Sequence, residues 1–67
     1  MSPTQRAEFQ MRLVEIAYRG RSPRMKGQEL ERLRLRSEAI LDGMPVSPDP
    51  SFRERLRLFR LELRPIG

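Results

Sequence analysis

Three Ser-Pro dipeptides, at Ser2-Pro3, Ser22-Pro23 and Ser47-Pro48, cut this chain into three segments. Proline fixes φ and has no N–H to donate, so it suits the first position of a helix and breaks one almost anywhere else. A serine before it offers an oxygen to the orphan N–H groups of the first turn. Each pair precedes apolar residues at helical spacing, so the punctuation predicts three helices joined by short Pro- and Gly-rich connectors.

The first helix is predicted over residues 3–19. Ser2 is its cap, Gln5 completes a capping box, and Gly20 follows the last apolar residue as a left-handed terminator. The second is predicted over 23–42, its start lying between Pro23 and Gly27 and Gly43 ending it. Residues 44–50 hold three prolines and predict a stiff connector. A third helix is predicted over 51–64, with Ser51 and Glu54 as a capping box and Asp49-Pro50 as an alternative start two residues earlier. Leu56-Arg57-Leu58 and Leu61-Glu62-Leu63 also alternate as a strand does. That segment has no β-branched residue, however, and Leu, Arg and Glu favour helix. The expected fold class is therefore all-α: a small three-helix bundle, or a helical hairpin plus a third helix, in one domain over 1–67.

A chain of 67 residues has room for one core. Below roughly 70 to 80 residues such a core seldom supplies more than about 3 to 5 kcal/mol without a staple. With neither Cys nor His, the sequence has no disulfide and lacks the usual ligands of structural zinc. Folding must rest on helix packing, with a partner or a second copy as further support.

Projected at 100° per residue, the helices differ in kind. The second carries one stripe of Leu30, Leu33, Ser37, Ile40 and Leu41. Its far side is charged, with Glu31, Arg34 and Glu38 at the spacing of solvated pairs. On the first helix, Ala7, Met11, Val14 and Tyr18 lie on one side and Phe9, Leu13 and Ile16 nearly opposite, more apolar circumference than two short neighbours can cover. We assign Met11, Val14 and Tyr18 to a partner. The third helix pairs a stripe of Phe52, Leu56, Phe59 and Leu63 with a parallel row, one residue displaced, of Arg53, Arg57, Arg60 and Arg64. That row contains no acid, and Glu54 and Glu62 project elsewhere. The segment Glu31-Arg32-Leu33-Arg34-Leu35 is echoed by Glu54-Arg55-Leu56-Arg57-Leu58, which we attribute to Leu/Arg usage.

Fourteen basic residues stand against nine acidic, and all but Lys26 of the fourteen are Arg. Such planar, permanently charged forks favour carboxylates or phosphates. Catalysis is not expected: His, Cys and Gly-rich phosphate loops are absent, and a catalytic carboxylate pair needs a concave pocket to separate its pKa values. No cofactor, metal or small-molecule substrate is expected either. The sequence reads instead as a small accessory or regulatory protein. It binds a larger protein, or itself as a homo-oligomer, through an apolar face of the first helix and the Arg53–Arg57–Arg60–Arg64 row.

The alternative is a nucleic-acid-associated protein that sets the same row and a basic loop, Arg19, Arg21, Arg24 and Lys26, on phosphates. Arg19-Gly20-Arg21 resembles the core of A-T hooks, which implies arginines laid in a minor groove. The match covers three residues, Tyr18 stands where a flanking Pro is expected, and Gly20 has its own reason as a terminator. Major-groove reading is not supported, because the connection after the first helix is Arg-rich and Pro-containing rather than a tight turn and Asn is absent. A membrane-surface role ranks behind both, since Trp is absent and Phe lies mid-stripe. The polar opening and the lack of long apolar runs lead us to expect a soluble, cytoplasmic chain.

Overall fold

The computed structural model describes residues 1–64 and contains three helices: α1 (Pro3–Arg19), α2 (Gln28–Asp42) and α3 (Pro50–Leu63). Each packs on the other two, and no strand occurs among the described residues. The fold is a small all-α three-helix bundle.

Only the first Ser-Pro pair starts a helix. Ser2 Oγ accepts the Gln5 N–H at 3.2 Å and the Gln5 side chain accepts the Ser2 N–H at 3.1 Å, a closed capping box. The other two pairs form turns, with the serine oxygen accepting the N–H two residues on: Arg24 onto Ser22 and Asp49 onto Ser47, each at 3.2 Å. The reason is local. The third position after Ser47 is Pro50, which has no N–H to bring to a cap. After Ser22 the chain reaches Gly27 before any apolar stripe begins, and a glycine inside a helix costs about 1 kcal/mol.

The predicted start of α2 at residue 23 is therefore corrected to Gln28. Gly27 precedes it at φ 63° and ψ −132°, a conformation that nearly excludes side chains. For α3 the alternative start is the real one: Asp49 Oδ1 accepts the Ser51 N–H at 3.0 Å and Pro50 takes the first position.

Gly20 and Gly43 cap α1 and α2 as expected, but Gly20 does so without the left-handed conformation predicted for it. Gly20 has φ −87° and Gly43 φ −86°, neither left-handed. Gly20 is required by closeness instead, because a Cβ there would sit 2.8 Å from the Ile16 carbonyl oxygen.

The core joins Ala7, Met11, Val14 and Tyr18 of α1, Leu41 at the end of α2, Met44 just beyond it, and Phe52, Phe59 and Leu63 of α3. Tyr18 and Phe59 meet edge to face, 6.1 Å between centroids, which adds aromatic contact to the burial of both rings. Ser37 is buried in the apolar stripe of α2, where its hydroxyl donates to the Leu33 carbonyl at 2.7 Å and so leaves no donor unpaired. No described helix is long and apolar enough to cross a membrane.

Candidate docking site

The structure reverses the assignment of the two faces of α1. Met11, Val14 and Tyr18, predicted to meet a partner, are buried at 1%, 3% and 7% exposure and hold the bundle together. The opposite stripe faces solvent, with Phe9, Leu13 and Ile16 exposed to 54%, 52% and 69%. Sequence held a clue to this order. The inner set runs through the whole helix at i, i+4, i+7 and i+11, the same spacing as Phe52, Leu56, Phe59 and Leu63, whereas the outer set stops after three residues. Stripes of equal spacing on neighbouring helices can pack against each other, and Tyr18 meets Phe59 where these two do.

Of the outer stripe, Phe9 lies beside Glu8 and Arg12 and Ile16 beside Arg12, Glu15 and Arg55, whereas Leu13 also lines a groove of about 540 Å³ between α1 and α2. Leu13 and Ala17 form one wall, Leu33 and Ile40 the other, and no residue of α3 contributes to it. The hairpin of α1 and α2 thus carries α3 on one side and leaves an apolar channel open on the other. Arg36 is the charged residue lining it. By helical spacing, Arg32 lies one turn before Arg36 and Arg6 seven residues before Leu13, so both stand along the rim. Arg12 borders Ile16 on the far edge. Among the described residues, Arg6, Arg12, Arg32 and Arg36 make no ion pair.

The arginine row of α3 is not the unpaired surface expected. Arg57 pairs with Glu54 one turn earlier, its Nε donating to the carboxylate at 3.1 Å, and Arg60 reaches across to Asp42 at the end of α2. The Glu54 hydrogen bond holds Arg57 above its ordinary pKa, and Arg57 in turn holds the Glu54 carboxyl below the usual carboxylate range. Arg53 and Arg64 make no ion pair among the described residues. The echo between α2 and α3 contained the missed information. Glu31 binds Arg34, as the spacing predicts, and the same three-residue step links Glu54 to Arg57.

The row also stands apart from the open face of α1. The edge of α3 that faces α1 carries Glu62, bound by Arg19, and Arg55, which approaches Glu15 at 3.6 Å. The row lies on the other edge, where Arg60 meets α2. The two predicted halves of one docking surface are therefore separate surfaces.

Of the basic loop, Arg19 and Arg21 are engaged inside the molecule. Arg19 donates to Glu15 at 2.7 Å and to Glu62 at 3.0 Å, and its guanidinium lies 5.3 Å over the Phe59 ring. The Glu62 hydrogen bond is the main cause of its raised pKa. Arg21 donates to the Tyr18 carbonyl at 2.7 Å and stacks 4.3 Å over the Tyr18 ring. Both arginines of the hook-like segment thus tie the end of α1 to its surroundings. Arg24 and Lys26 are exposed, with no ion pair among the described residues.

Comparison with protein-family models, with curated proteins and with solved structures finds no match to this chain.

Proposed function

We propose that the chain is a non-catalytic accessory module that docks an acidic partner protein on the outer face of α1. One observation carries this reading: Phe9, Leu13 and Ile16 are more than half exposed on one face of α1, and Arg6, Arg12 and Arg36 about that face make no ion pair among the described residues. Contiguous apolar exposure rimmed by polar groups marks an interaction surface. The rim also favours an acidic partner over a second copy, because self-association would gather Arg6, Arg12 and Arg36 from two chains that each carry a net charge of +5.

The test is affinity purification from the native host with the intact chain and with Ile16→Glu, with and without nuclease. Circular dichroism checks that the variant keeps its helices. A protein partner retained through nuclease treatment and lost with Ile16→Glu is the expected result. A partner indifferent to Ile16→Glu, or one released by nuclease, overturns the reading.

Release by nuclease would favour the phosphate-binding alternative, whose basis is narrower than its eight predicted contacts. Arg19, Arg21, Arg57 and Arg60 have partners inside the molecule, leaving Arg24, Lys26, Arg53 and Arg64. With those four, the slope of log affinity against log salt on duplex DNA is about −4, from roughly −0.9 per phosphate contact.

A further inference from the structure

We infer that the α1/α2 groove accepts one acidic amphipathic helix of a partner protein, which completes a four-helix bundle with Arg36 selecting a carboxylate on the incoming helix. This rests on the docking reading above and specifies its occupant. The argument starts from shape. An apolar channel between two packed helices, walled by Leu13, Ala17, Leu33 and Ile40, is the kind of seat a further helix takes in a bundle, where crossing angles are about 20°. Ala17 is the smallest of these walls and lets a backbone approach closely. A helix in such a groove anchors through apolar side chains at i, i+3 or i+4, and i+7.

Charge supplies the second argument. Arg36 lines the groove and Arg32 and Arg6 flank it, so an incoming helix needs acidic residues beside its apolar stripe. Glu29, on the same strip of α2 as Arg36, offsets one of these charges at most. A planar guanidinium at the rim of an apolar channel binds a carboxylate in two parallel hydrogen bonds, which fixes register as well as sign. A third observation is polar: Gln10, also on the groove wall, buries its Oε1 with no hydrogen-bond partner among the described residues. Leaving such an acceptor buried and unpaired is unfavourable, and rotating the amide toward a docked helix lets it accept a hydrogen bond.

The probe is a displayed library of 18-residue amphipathic helices whose apolar positions are Leu, Ile, Val, Met or Phe and whose flanking positions vary among Glu, Gln and Lys. Selection against the full chain is expected to enrich Glu at the flanks. A synthetic peptide from that pool should bind at least tenfold more tightly than its Lys-flanked twin by fluorescence anisotropy. Arg36→Glu should reverse the preference, and Ala17→Arg should abolish binding of both peptides while the helical spectrum is unchanged.

Equal binding of the two twins, no enrichment, or unchanged binding by Ala17→Arg overturns the proposal. A dimer in light scattering that Ala17→Arg splits also overturns it, in favour of a second copy. Failure here, with a native partner still lost through Ile16→Glu, leaves the docking reading intact and removes only the helix as its occupant. Loss of neither peptide nor partner on these substitutions removes both.

Discussion

Helices α1 and α3 both bury stripes of identical spacing in the shared core and differ on their far sides. The far side of α3 presents Glu54, Arg57 and Arg64 around two leucines, Leu58 and Leu61, and its charges are partly matched within the molecule. The far side of α1 presents Phe9, Leu13 and Ile16, of which Leu13 also lines the groove toward α2. A charged face can neutralise itself with a neighbour one turn away. An apolar face leaves solvent only by covering itself with another surface. The docking surface proposed above therefore lies on α1, although the arginine row of α3 is the more conspicuous pattern in the sequence.

The largest test of this contrast lies inside. Phe59→Ala removes a buried ring that touches Tyr18 and Arg19, at a cost of about 3 to 5 kcal/mol, and Met11→Ala costs about 2 to 5 kcal/mol. Against a total of about 3 to 5 kcal/mol, either change should leave much of the population unfolded at 25 °C, read by urea denaturation. If Met11→Ala were nearly neutral, the inner stripe would not be the one that holds α1, and the assignment of the two faces would fail.

The next effects sit at the helix starts. Ser2→Ala and Asp49→Ala each remove a side chain that accepts a first-turn N–H, for about 1 kcal/mol apiece. Ser22→Ala, which disturbs only a turn, should stay within about 0.5 kcal/mol. Equal losses at all three serine and aspartate positions would mean that α2 begins at Pro23 after all. Smaller still is Ile16→Ala, expected within about 0.5 kcal/mol of the parent because the side chain already faces water. The instructive result is the pair: Met11→Ala unfolds, Ile16→Ala does not.

These contrasts also explain what was legible in the sequence. The extent of α1 was readable because cap, proline and box agree within four residues. The start of α2 was not, since Ser22-Pro23 uses the same letters for a turn, and only the following three residues distinguish the cases. The three-helix class was readable from proline spacing and residue type. Which face of α1 is inside was harder, because both faces are apolar and the choice depends on which neighbour offers a matching stripe. Ion pairs across helices, Arg19 with Glu62 and Arg60 with Asp42, have no sequence signature because 43 and 18 residues separate the partners. The pair Glu54–Arg57 had one, in the echo, and charge-row counting concealed it.

The smallest predicted effect tests how far the far side of α3 balances itself. Arg57 depresses the Glu54 carboxyl below its ordinary value of 4.5, and Arg34 does the same to Glu31. A carboxyl whose folded pKa is lower than its unfolded one contributes stability above the unfolded value, and loses it as pH falls through the folded value. Both pairs are on the surface, so the contribution is small and salt-sensitive. Titration of the helical circular-dichroism signal at low ionic strength should show a shallow decline below about pH 4.5. Glu54→Gln should remove part of that decline and Glu31→Gln another part, while added salt flattens both. If Glu54→Gln left the acid limb unchanged and Glu31→Gln altered it, Arg57 would be free in solution. The arginine row would then regain a third unpaired charge, and the contrast between α1 and α3 would weaken.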